Sequence, residues 1–123
     1  MELDYTRIFE DREEESHFED VDVEVSLVDF APPAPPLNLS EPLSAERIIL
    51  ADVPAGWVGD WHPTPRRQFA VVLSGELEVE VSDGEVRRFG PGGVVLLEDV
   101  GGKGHLTRAL GDSEARIAFV QLS

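Results

Sequence analysis

The sequence predicts an all-β fold, a sandwich or a closed barrel. Three observations carry this prediction. Short apolar or alternating runs recur from Glu46 to the end of the chain, divided by Gly and Pro turns. Asp83-Gly84 is a strong two-residue hairpin signal between two such runs. No segment sustains a helical apolar period. The chain has 123 residues, within the usual size of one domain. A chain of this size buries roughly 65–70% of its unfolded surface, enough for one core. Hydrophobic residues make up 41% of it, so it is neither disordered overall nor membrane-spanning. No apolar run approaches the ~20 residues of a transmembrane helix.

The elements follow in order. The N-terminus, MELDYTRIFEDREEE, is acidic and has no apolar signal-peptide core, so a cytoplasmic location is expected. Residues 1–30 hold 12 acids and 2 bases. This segment reads as a solvated face or frayed arm; a docking surface and adaptation to salt are the alternatives. His17 within it reads as a surface residue. Val21–Leu27 alternates apolar and polar, as a strand with one wet face does. DFAPPAPPLNLSEPL, residues 29–43, has five prolines. Proline fixes φ and cannot donate to a ladder, so an extended strap laid over the barrel is expected. Residues 1–45 are thus an arm, a strand and a strap packed on a body formed by residues 46–123.

In that body Arg47–Val53 is the first strand. Gln68–Leu73 is mostly apolar and suits a strand buried on both faces. Ser74-Gly75 leads to Glu76–Ser82, where Leu77, Val79 and Val81 face inward and the intervening glutamates face water. Glu85–Phe89, Val94–Glu98, His105–Leu110 and Arg116–Leu122 complete the set, with glycine-rich turns at 90–93, 101–104 and 111–112.

Composition excludes several chemistries. The chain has no cysteine, hence no disulfide, zinc thiolate or thiol nucleophile. Its net charge of −15 repels nucleic acid and anionic membrane. It contains no G-x-S-x-G elbow, phosphate-cradling glycine loop or H-E-x-x-H pair.

The informative stretch is GWVGDWHPTPRRQFAVVLSG, Gly56 to Gly75. It resembles the first motif of the cupins, small jelly-roll barrels, which reads G-x5-H-x-H-x(3,4)-E-x6-G. Gly56, His62, Thr64, Gln68 and Gly75 occupy those places. The second motif, G-x5-P-x-G-x2-H-x3-N, is matched more loosely by Gly93, Gly101 and His105, with one extra residue; Asp99 stands at the Pro place and Ala109 at the Asn place. The resemblance covers residues 46–122. It implies a double-stranded β-helix, with His105 brought beside His62. It also implies a divalent transition metal, Fe, Mn, Ni or Zn, here with His62, His105 and the Gln68 amide as its set. Thr64 and Gln68 replace two of the usual ligands, and losing the carboxylate weakens such a site; Asp60, Glu98 or Asp99 could restore an anion only by swinging in.

On an extended strand residues 62, 64, 66 and 68 project to one side. Arg66 therefore has two readings: a counter-charge inside the pocket, or, with Arg67, an outer-face pair bonded to nearby acids. Trp57 and Trp61 suit the mouth of a pocket for a flat organic ligand. Three functions remain open. The first is a metal-dependent dioxygenase or isomerase acting on a small organic acid or phenolic compound, with His62 and His105 catalytic. The second is a metal-free pocket that binds or senses a small molecule, or works as an isomerase or lyase through a His base, with Arg66, Trp57, Trp61 and Thr64 contacting the ligand. The third is an interaction module. Exposed sheet edges and the N-terminal extension suit pairing by strand exchange or along an edge, and the resemblance to cupins, which commonly pair this way, implies a homodimer under any of them.

Overall fold

The computed structural model describes residues 3–123, and every described element is a strand. The six-stranded sheet runs β2-β1-β9-β6-β11-β5, where β1 is Leu3–Glu10, β2 Ser16–Val23, β5 Ala45–Val53, β6 Gln68–Ser74, β9 Val94–Leu97 and β11 Ala115–Leu122. A three-stranded sheet faces it, in the order β10-β7-β8: β7 is Glu76–Val81, β8 Val86–Phe89 and β10 His105–Leu110. Two short strands, β3 (Ser26–Val28) and β4 (Leu37–Leu39), pair only with each other. The expected jelly-roll barrel is present, and its seven body strands, β5 to β11, match the periodic runs within a residue or two at each end.

The two sheets share one core. Val72, Val95 and Ile117 from the larger sheet pack with Leu77, Val79, Val81 and Phe89 from the smaller. Strand parity explains the choice: alternate side chains enter the barrel, and those positions carry branched or aromatic residues. Between β6 and β7 the chain turns at Gly75, whose φ of +79° and close approach to Ala115 leave no room for a side chain.

The N-terminal segment departs from expectation. It is not a frayed arm. β1 pairs with β2 along its whole length and lies parallel to β9, with Thr6 opposite Val95 and Ile8 opposite Leu97. Ile8 and Ser16 are wholly buried, and Phe18 nearly so. The acidic residues occupy the wet face and hid the buried one. His17 is not a free surface residue either: it bridges Asp11 (2.6 Å) and Asp83 (2.8 Å), tying this hairpin to the β7–β8 turn. The predicted strand Val21–Leu27 breaks at Glu24-Val25. The proline segment forms no strap over the barrel; the chain doubles back and becomes the β3–β4 hairpin, exposed along nearly its whole length.

Candidate functional site

The site is built on an irregular strand beside β10. Gly59 N–H donates to the Thr107 carbonyl (2.9 Å), and Ala109 N–H donates to the Trp57 carbonyl (2.8 Å). Val58 faces Arg108 and His62 faces His105. One extra residue therefore lies between these bridges on the 58–62 side, a bulge that re-aims the chain. Gly59 gives the Trp57 ring its place, because a methyl group there would run into it.

His62 and His105 exchange two backbone hydrogen bonds, of 3.1 and 3.0 Å. Residues paired in this way put their side chains on one face of the sheet. The two imidazole rings lie 4.9 Å apart between centroids, inclined at 53°. Gly104 makes the approach possible: its φ is +73°, and a side chain there would collide with the His62 backbone.

Each imidazole is oriented through Nδ1. His105 is buried, and its Nδ1 lies 2.7 Å from Oδ2 of Asp99, which is fully buried. His62 stands exposed at the mouth, with Nδ1 2.6 Å from the Asp60 carbonyl oxygen. Both partners are acceptors, so Nδ1 carries the hydrogen, and it is the neutral form of each ring that has its lone pair on Nε2. Asp99 also accepts the Thr64 N–H at its backbone carbonyl (3.0 Å), which clamps the first motif onto the second. Its Oδ1 has no hydrogen-bond partner.

The rings border a cavity of about 370 Å³. Its walls are mostly apolar and come from both sheets: Ile8, Ile49, Val72, Leu77, Phe89, Ile117 and Phe119 among them. The polar residues that line it are His62, Thr64, Gln68, His105, Thr107 and Gln121. Gln68 and Gln121 are cross-strand neighbours on β6 and β11. Gln121 Nε2 donates to Gln68 Oε1 (3.0 Å), Gln68 Nε2 donates to Thr64 Oγ1 (3.2 Å), and Thr64 Oγ1 donates to the Arg66 carbonyl (3.0 Å). Gln121 Oε1, buried in the wall, has no donor.

The structure brings His62, His105, Gln68, Thr64 and Trp57 to one cavity. It takes Arg66 and Trp61 away from it. Arg66 donates to Glu46 (2.6 Å) on the outer surface, and Trp61 is exposed and outside the lining. Parity carries a side chain inward only while the chain is extended, and Pro63 to Arg67 is a bend rather than a strand. The outer-pair reading of the arginines holds: Arg67 binds Glu98, which also binds Arg7. Burial pushes the Glu98 carboxyl up, yet hydrogen bonds from Arg7 and then Arg67 outweigh it and hold it below the usual carboxylate range.

The donor set does not fit the family's metal. Among the described residues no three His, Cys, Asp or Glu side chains gather around one point. Two Nε2 atoms are free. The Gln68 amide is spent on Gln121 and Thr64, Glu98 is spent on two arginines, and Asp99 stands behind His105. A two-imidazole set without an anion is a poor holder of Fe, Mn, Ni or Zn.

Sequence reasoning missed Asp99 as the partner of His105 and Gln121 as part of the wall. A signal existed for Gln121: it shares parity with Ile117 and Phe119 on an otherwise apolar strand. None existed for Ile8, which enters the cavity from the far end of the chain.

A search of curated proteins finds no match. Among solved structures the fold is similar to the Schizosaccharomyces pombe Cnp3 cupin domain, with a TM-score of 0.54 and 15% identity over 88% of this chain and 72% of that one. The profile of the cupin domain matches residues 49–121, which contain Gly56 and Gly75 of the first motif and both facing histidines. With that match spanning more than half its length, and with a jelly-roll barrel whose cavity opens beside the expected motifs, the chain belongs to the cupin domain family.

Proposed function

We propose that this cupin is a metal-independent small-molecule pocket, with His105 as its proton donor or acceptor. The carrying observation is the buried Asp99–His105 pair at 2.7 Å, facing a cavity of ligand size. A carboxylate on Nδ1 holds the ring in one tautomer and favours a positive charge that forms on it during proton transfer. His62, at the mouth, supplies a second polar contact. A group placed like this contributes typically ~10²–10⁴-fold to a proton-transfer step.

The character of the cavity supports a narrower ligand class. Its body is apolar and no Lys or Arg lines it. A permanent anion would meet no fixed counter-charge there, and Asp99 behind His105 would oppose it. A compact, single-ring compound with one weakly acidic or neutral polar head fits, and a phenol is the simplest. This support favours the phenolic half of the expectation over the organic-acid half.

Thermal unfolding with added phenol tests this reading, since binding to the folded state alone raises the melting temperature. A rise is expected for the unmodified protein, a smaller one with benzoate, and none in His105→Ala. The absence of a shift with phenol or any ring-substituted phenol would remove the reading. Stoichiometric metal in protein purified without added metal, lost in both His62→Ala and His105→Ala, would overturn metal independence.

A further inference from the structure

A phenolic head occupies only one end of the cavity. Register sorts the wall that the larger sheet contributes into rows. Leu97, Gln68 and Gln121 lie side by side on β9, β6 and β11. Two residues further along come Val95, Ala70 and Phe119, with Ile49 beside them on β5. Two residues beyond these come Val72 and Ile117. All of them line the cavity. The polar side chains gather at the first row. Thr64 ties them together: its hydroxyl accepts from Gln68, and its N–H donates to the carbonyl of Asp99, the partner of His105. His62 faces His105, and Thr107 stands one step further along β10. Past the first row the larger-sheet wall is wholly apolar. From Gln68 to Val72 it runs four residues of strand, about 13 Å.

This apolar body has room. An apolar cavity of about 150 Å³ holds one benzene ring, and the cavity here is about 370 Å³. Two features keep it open. Ala70 is the smallest residue of its row, between Gln68 and Val72 on the inward face of β6; a longer side chain there would fill the space. Ile49 faces the cavity from the edge strand β5 and is still 43% exposed. Phe119 beside it is only partly buried. Apolar wall left open to water is the surface that an apolar part of a ligand covers.

We infer, resting on the phenolic reading for the head, that this body is a tail subsite and that the ligand is a phenol bearing an aliphatic chain. The ring hydroxyl stays with the histidines. The chain runs past Ala70 and Phe119 toward Val72 and Ile117. Branched aliphatic side chains dominate those walls, and the second and third rows hold no partner for another polar group. A chain without polar atoms therefore matches them, because a hydroxyl or amide buried there would have nothing to bond. Ala70 is the specificity-determining residue, since its small side chain leaves the passage from the head to the third row.

Isothermal titration calorimetry with phenol and its para-ethyl, para-butyl and para-hexyl derivatives tests this. Each buried methylene should tighten binding about threefold, and the heat-capacity change should grow more negative as the chain lengthens. Ala70→Leu should flatten the series, with its fold checked by a thermal melt; should that variant not fold, the series in the unmodified protein decides. A flat series in unmodified protein that binds phenol overturns the tail subsite and leaves the phenolic head standing. An undiminished gain in folded Ala70→Leu overturns the path past Ala70. Straight-chain alcohols separate head from tail: affinity that rises from butanol to hexanol while no phenol binds supports the tail subsite and removes the phenolic head alone.

Discussion

Gly104 decides where the two histidines stand. The residue holds a left-handed φ of +73° and lies against the His62 backbone. Gly104→Ala therefore meets both strain and collision, at a cost of about 1–3 kcal/mol in unfolding free energy. Chemical denaturation should show that loss. Because the clash falls on His62, ligand-induced stabilisation should fall with it. Ser16 acts at the same point from outside: its hydroxyl donates to the Gly104 carbonyl (2.6 Å) and accepts from Ser82 N–H (2.8 Å). The sequence showed His62 and His105 through motif spacing, but the roles of Gly104, Ser16 and Asp99 depend on chain segments that meet only in the folded barrel.

The β1–β2 hairpin is an element that the charge pattern concealed. Its closing contact is His17 between Asp11 and Asp83. The hydrogen bond to Asp11 is the largest effect on His17; with Asp83 it overcomes desolvation and raises the imidazole above its ordinary 6.5. The same bond lowers Asp11 below its ordinary 3.8. The signs give a window. A raised folded-state pKa means that the His17 contribution is full below about 6.5 and disappears as pH rises through the folded value. A lowered Asp11 pKa means that its contribution is full above about 4 and disappears as pH falls. The melting-temperature difference between the unmodified protein and His17→Ala should thus be largest near pH 5 and shrink by pH 8. A difference independent of pH would show that the contact is packing alone. Most strands of the body were legible because apolar and polar residues alternate in them. β1 was not, because Asp4 and Glu10 sit among its apolar residues and blur the period.

At the scale of the whole molecule, the N-terminal segment belongs to the barrel. Ile8 is wholly buried and lines the cavity, and Phe18 packs on Phe89. Removing residues 1–23 should cost more than the ~2–5 kcal/mol expected for truncating one buried Ile alone. It should also expose one edge of β9. Circular dichroism and a melt of the truncated chain check this; an unchanged melting temperature would restore the picture of a detachable arm. By itself the sequence determined the fold class, the order of the body strands and the neighbourhood of the pocket. The first two follow from local periodicity and from glycines at turns, which any short window of chain displays; the third follows from the resemblance of the Gly56–Gly75 stretch to a cupin motif. Only the tertiary structure decided what the site is made of. It turned Arg66 outward at a bend, set Asp99 behind His105, spent the Gln68 amide on Gln121 and brought Ile8 into the cavity. Each of these depends on which distant strands lie side by side. Pairing between distant strands is settled by the packing of the whole barrel and leaves no mark in local spacing.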